Sequence, residues 1–138
     1  MLDEYKISNL YIHGKLDPTA RSIFKQSFES GNTKVLVLSK VFDAGVDIAG
    51  GTDAIILAGA GKSKVGVIQR TGRGTRLQED NYNKVLVIDF NDPYIYVSKH
   101  TRERKLLLKY YEFDIVEDEK FIDTFISSKV EWRKNKKI

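Results

Sequence analysis

The sequence predicts an α/β fold, a parallel sheet with helices on both faces, and two observations carry that prediction. Short β-branched runs alternate along the chain with amphipathic stretches of helical period, joined by short connections. Three of the runs are nearly continuous in apolar residues instead of alternating, the pattern of strands covered on both sides.

The elements follow in order. Leu10-Tyr11-Ile12 is the first strand run. Asp17 then offers an N-cap carboxylate, Pro18 the first helical position and Gly31 a C-terminal cap. Between them Ala20, Ile23, Phe24, Ser27 and Phe28 share one helix face. Val35-Leu36-Val37-Leu38 and Ala54-Ile55-Ile56-Leu57 are the next strands. A helix is expected over about residues 64–76 despite three glycines, then a strand at Val85-Leu86-Val87-Ile88. Further helices are expected over about residues 95–111 and 117–134, with a basic, frayed tail after Trp132. Ligands of such sheets sit at the carboxyl ends of the strands, which directs attention to His13-Gly14, Ser39-Lys40, residues 59–64 and Asp89-Phe90.

Composition bounds the function. A chain of 138 residues fits one domain, and the lack of cysteine excludes a disulfide scaffold, a thiolate zinc site and a cysteine nucleophile. No apolar run approaches the length of a membrane span, and the N-terminus, with Asp3 and Glu4, has no secretory character. A cytoplasmic protein without membrane contact is the expectation. The net charge of +4 comes entirely from the last ten residues, where Lys129, Arg133, Lys134, Lys136 and Lys137 face Glu131 alone. Overall charge is therefore uninformative, and the local pattern has to speak.

The strongest local pattern is Gln69-Arg70-Thr71-Gly72-Arg73-Gly74-Thr75-Arg76, within a stretch from Lys62 to Arg76 that contains no acid. On a helix Gln69, Arg73 and Arg76 share one face. The planar guanidinium suits phosphate oxygens and stabilises the charge of phosphoryl transfer, while Gly72 and Gly74 weaken the helix but admit close backbone approach.

This segment resembles motif VI of superfamily 2 helicases and translocases, Q-R-x-G-R-x-x-R. Upstream, Ser39-Lys40-Val41-Phe42-Asp43-Ala44-Gly45-Val46-Asp47-Ile48 resembles motif V. His13-Gly14 with Arg21 and Phe28 is similar to the family's HG…R…F stretch, and residues 85–89 and 100–111 to its closing strand and following R…Y helix. The resemblance covers about residues 5–116 in family order. It implies a partial second RecA-like lobe over 1–116, lacking its first strand and motif IV, and a helical extension over 117–138. Ala44, where DEAD-box proteins usually carry arginine, leans toward the UvsW-type and XPB-type DNA-translocating branch.

Position by position, the resemblance implies that Arg76 is the arginine finger on the γ-phosphate of ATP, with Arg73 beside it. Gln69 and Gly72 would couple the phosphate site to the nucleic-acid track; Asp47 would contact the ribose, with Gly45 keeping the loop close. Ser39, Lys40, His13, Gly14, Lys62 and Lys64 would contact nucleic acid. A cap or turn role stays open for Asp47, and a turn hydroxyl for Ser39. ATP with Mg²⁺ is the implied cofactor, held mainly by a first lobe in cis or trans; DNA is the implied partner, with RNA as the alternative.

Other features are weaker. Gly59-Ala60-Gly61-Lys62-Ser63 imitates the end of a P-loop, but the required first glycine falls at Ile56. His13 and His100 lack companions at metal spacing, so no metal site is proposed. The basic stretch from Lys99 to Lys109, followed by acids, points to intramolecular pairing more than to a groove for DNA, though it leaves room for salt-sensitive backbone contacts. A non-catalytic nucleic-acid-binding or regulatory remnant of a helicase is the alternative function. A dinucleotide-binding protein finds no G-x-G-x-x-G after the first strand. With no Walker lysine, Mg²⁺ acid or general base of its own, the purified chain is expected to hydrolyse no appreciable ATP. Robust nucleic-acid-stimulated hydrolysis by the chain alone contradicts this.

Overall fold

A computed structural model describes residues 2–39, 48, 52–58, 64–74, 84–90 and 94–136. Lys40, Ala44, Gly45, Asp47, Lys62 and Arg76, with the P-loop-like residues 59–63, lie outside the described residues. The chain forms two compact units, Met1–Gly50 and Gly51–Ile138.

The first unit is a strand–helix–strand crossover. β1 (Asn9–Ile12) pairs in parallel with β2 (Val35–Leu38), Ile12 opposite Leu38, and α1 (Pro18–Glu29) connects them. The start of α1 follows from sequence chemistry. Asp17 is extended at the N-cap, its Oδ1 accepts the Ala20 N–H at 3.0 Å, and Pro18 fills the first turn, where no amide donor is needed. The Ala20 N–H holds the Asp17 carboxyl below its usual range. The stop follows too: Ser30 caps the helix, and Gly31 takes φ +77°, a left-handed conformation that side chains disfavour.

α1 packs against β1. Its half-buried arc holds Ala20, Phe24, Ser27 and Phe28 as expected, but Ile23 is exposed while Arg21 is half-buried. The helix is thus rotated toward Arg21, whose guanidinium has a backbone acceptor at Gly14. Ile12 and Ile48 are this unit's buried apolar residues among those described.

The second unit repeats the crossover and adds two helices. β3 (Ala54–Leu57) pairs in parallel with β4 (Leu86–Asp89), and α2 (Lys64–Gly74) lies between them in sequence, packed on β3 and on α3 (Ile95–Tyr110). α4 (Lys120–Lys136) completes the described chain. Leu57, Val67, Leu86 and Leu108 are buried, so β3, α2, β4 and α3 all contribute to the core. Among the described residues no helix is long and apolar enough to cross a membrane.

Two ion-pair clusters tie the added helices to this unit. At the carboxyl end of β4, Arg104 of α3 is 6% exposed and grips Asp89 with two bonds, Nε to Oδ2 at 2.8 Å and Nη2 to Oδ1 at 2.9 Å. At the opposite end, Asp53 precedes β3 and takes Lys129 Nζ at 2.7 Å and Arg133 Nη2 at 2.8 Å, both from α4. Lys129 is 5% exposed and also lies 3.5 Å from the Lys84 carbonyl beside β4. Lys105 of α3 pairs with Glu117, which agrees with the expected charge pairing.

Two expectations need correction. The three nearly continuous apolar runs are expected to be covered on both sides, yet Val37, Leu38 and Ile56 are exposed, Ile56 by 59%. Among the described residues each strand pairs with one neighbour only, in two sheets of two strands, and an apolar run reports what a strand can bury without fixing what covers it. Nor does the chain fray after Trp132: the helix continues to Lys136, held by Arg133 on Asp53.

Burial alone would raise the Asp53 carboxyl, but the hydrogen bonds from Arg133 and Lys129 outweigh it and hold the group below its ordinary value. A lowered folded value stabilises above the unfolded value, and that stability is lost as pH falls through the folded one. Acid titration of the chain, followed by urea melts, is therefore expected to show stability falling below about pH 4 more steeply in wild type than in Asp53→Asn. At neutral pH the variant is expected to be less stable by about 1 kcal/mol, a modest figure because solvent screens the half-exposed carboxylate.

Candidate functional site

The carboxyl end of the first strand pair gathers three of the residues the sequence singles out. The Ser39 N–H donates to the Ile12 carbonyl at 3.1 Å, extending the ladder, so Ser39 follows β2 next to where His13 and Gly14 follow β1. A turn closes behind them, with the Leu16 N–H on the His13 carbonyl at 3.1 Å. Arg21 Nη2 donates to the Gly14 carbonyl at 2.7 Å, pinning that turn to α1. The Lys15 N–H reaches His13 Nδ1 at 3.3 Å, which leaves Nε2 as the proton-bearing nitrogen of the neutral ring. The Tyr11 ring lies 5.3 Å from the His13 ring, tilted against it. The Ser39 hydroxyl oxygen is buried and has no hydrogen-bond partner among the described residues. Gly14 is exposed and His13 half-buried, so this edge presents an imidazole, a backbone turn and the strand end together.

The second cluster is α2. Val67 and Thr71, one turn apart, face inward, and both are almost wholly buried. The Thr71 hydroxyl donates back to the Val67 carbonyl at 3.0 Å and lies 3.1 Å from the Ile68 carbonyl, so a buried polar group is satisfied inside its own helix. Gln69 and Gly72 are exposed. Arg73 lies one turn beyond Gln69 in α2, and Lys64 opens the helix. Thr71 was missed by sequence reasoning, because the motif leaves its position unspecified; its β-branched hydroxyl among glycines and arginines was the available signal.

Gly72 is the informative residue of this helix. A Cβ built there meets nothing within 4 Å. The chain's own packing therefore does not require glycine, although glycine inside a helix costs about 1 kcal/mol relative to alanine. The residue is open toward whatever approaches α2 from outside. The first unit's cluster and α2 lie in different compact units, and each is described by itself.

Asp89, at the carboxyl end of β4, is occupied by Arg104 and by the Phe90 N–H at 2.9 Å. Asn91 and Asp92 lie outside the described residues. Among the described residues no group of three or more histidines and carboxylates has a metal-holding arrangement.

Comparison with known proteins places this geometry. Residues 1–78 match the family model described as helicase conserved C-terminal domain. The chain is 34% identical over 95 residues to the ATP-dependent RNA helicase dbp10 of Neosartorya fischeri, covering 69% of this chain and 10% of that protein. It is 37% identical over 79 residues to the DNA 3'-5' translocase XPB2 of Sulfurisphaera tokodaii, covering 54% of this chain and 18% of that protein. Among solved structures, the C-terminal domain of the DEAD-box protein Dbp5 superposes with a TM-score of 0.67 at 19% identity, over 92% of this chain and 72% of that one. The chain thus spans about a tenth of the length of the RNA helicase it matches. The expected lean toward the UvsW-type and XPB-type branch is corrected here: the RNA helicase match covers more of the chain than the translocase match. That lean rested on Ala44, a residue outside those described, and on the likeness of residues 100–111 to the R…Y helix of that branch.

Because the site of an added Cβ at Gly72 is empty, Gly72→Ala is expected to stabilise the chain by about 0.5–1 kcal/mol in urea unfolding. A destabilised variant would show that α2 needs the glycine for its own packing.

Proposed function

The chain belongs to the helicase conserved C-terminal domain family, and from that premise we propose that it acts as the second lobe of an ATP-dependent RNA helicase. In this reading it supplies the arginine finger and part of the nucleic-acid track to an ATP site completed by a first lobe. The observation that carries the reading is α2: Val67 and Thr71 fix one face in the core, while Gln69 and the unobstructed Gly72 are exposed within an acid-free, arginine-rich segment.

The chemistry follows from the residue types. Phosphoryl transfer spreads negative charge over the transferred group, and a guanidinium placed there stabilises it without proton exchange. Arg76 takes that role and Arg73 supports it; Asp47 and Gly45 serve the ribose side. Nucleotide and Mg²⁺ are held mainly by the first lobe, which brings the Walker lysine, the metal-binding acid and the base. On the nucleic-acid side, His13, Gly14, Ser39, Lys40, Lys62 and Lys64 are each assigned contacts with nucleic acid. The dbp10 match favours RNA, and the XPB2 match favours DNA as the second reading.

The test joins this chain to a first lobe carrying G-x-x-x-x-G-K-[ST] and D-E-x-[HD], then measures ATP hydrolysis with single-stranded RNA and with duplex DNA. Arg76→Ala is expected to lower the stimulated rate by about 10³-fold or more while leaving RNA affinity nearly unchanged. Equal hydrolysis by variant and wild type removes the arginine-finger assignment and leaves the non-catalytic binding module. Stronger stimulation by DNA than by RNA moves the substrate to the second reading.

A further inference from the structure

We propose that the outer face of α3 is a binding surface for single-stranded nucleic acid, built from residues other than those assigned above to nucleic-acid contact. With 3.6 residues per turn, Ile95, Lys99, Arg102, Leu106, Lys109 and Tyr110 fall on one stripe, and all six are exposed. The opposite face holds Arg104 and Leu108, both buried. α3 is therefore anchored from behind, with its cations turned outward.

Three observations select the ligand. First, the only acid in α3 is Glu103, half-buried at the flank of the stripe, and no ion pair engages Lys99, Arg102 or Lys109 among the described residues. The neighbouring acid Glu117 is taken by Lys105, which lies off the stripe. Lys99 to Lys109 spans about 15 Å of helix axis, a row of cations that forms no ion pair with a described carboxylate.

Second, the stripe ends on aromatic surface. Tyr110 is 79% exposed, and Tyr111 stands edge-on to it with ring centroids 5.3 Å apart. A row of cations leading to exposed aromatic rings suits a polyanion with stackable bases; phosphates meet the cations and a base meets the ring. A duplex hides its bases and an acidic peptide has none, so both would leave Tyr110 without use.

Third, the support is rigid. Arg104 clamps Asp89 from the buried side with two bonds and donates to Thr101 Oγ1 at 3.2 Å, fixing the rotation of α3 about its axis. The cations are thereby held outward.

The test uses the chain alone, without nucleotide, so its outcome is independent of the arginine-finger reading. Binding of a fluorescein-labelled oligo-uridine is followed by anisotropy across a salt series, with labelled poly-glutamate as a second probe. The variant Lys99→Ala/Arg102→Ala/Lys109→Ala is expected to bind oligo-uridine about tenfold more weakly, and its plot of log K against log salt is expected to be shallower by about 2. Tyr110→Ala is expected to weaken binding with the slope unchanged, since stacking releases no counterions. All four side chains are exposed, so the melting temperature should hold; should the triple variant melt early, Lys99→Glu alone gives the same comparison. Wild-type affinity and slope in the cation variants overturn the proposal. So does equal loss of oligo-uridine and poly-glutamate binding with no effect of Tyr110→Ala, which would make the face a site for acidic protein.

Discussion

Parallel pairing of β1 with β2 and of β3 with β4 sets the position of most of the chain. Two parallel strands cannot be joined by a tight turn, so each pair requires a crossover, and α1 and α2 lie between their paired strands in sequence. Within each unit the chain therefore leaves both strands at the same edge. His13 and Ser39 meet at one such edge, and Asp89 ends the strand paired with β3 at the other. The candidate residues His13, Gly14 and Ser39 lie where this connectivity leaves a backbone turn and strand ends.

The second unit shows how charge supports that arrangement. Asp89 and Asp53 sit at opposite ends of the β3–β4 pair, and each anchors one added helix, Asp89 through Arg104 of α3 and Asp53 through Lys129 and Arg133 of α4. The buried cations would be costly alone, and a carboxylate with good geometry offsets most of that cost. Because α2 packs on α3, the Arg104–Asp89 clamp also braces the helix that carries Gln69, Gly72 and Arg73. Stability and the candidate site are thus coupled through one ion pair at the strand end.

Much of this was legible in the sequence where the cause is local. Asp17 and Pro18 announce the start of α1 and Gly31 its end, because capping and left-handed φ depend on neighbouring residues. The four strands were legible as β-branched runs. Arg104 and Lys129 were not legible as buried residues: their partners lie fifteen and seventy-six positions away, and a basic residue on a helix ordinarily reads as solvated. The C-terminal charge that accounts for the whole net +4 is for the same reason partly internal, since Lys129 and Arg133 meet Asp53. The motif VI resemblance led to the right family, whereas the branch, read from Ala44 and the R…Y helix, did not hold.

The central claim is that α2 faces outward to complete a nucleotide site on another lobe. It is tested most directly by measuring association of this chain with a separate lobe carrying the Walker lysine, with ADP and aluminium fluoride present as a mimic of the transferring phosphoryl group and with nucleotide absent. The account predicts tight association only with the mimic, lost on Arg76→Ala. Association that ignores both nucleotide and Arg76 would contradict it.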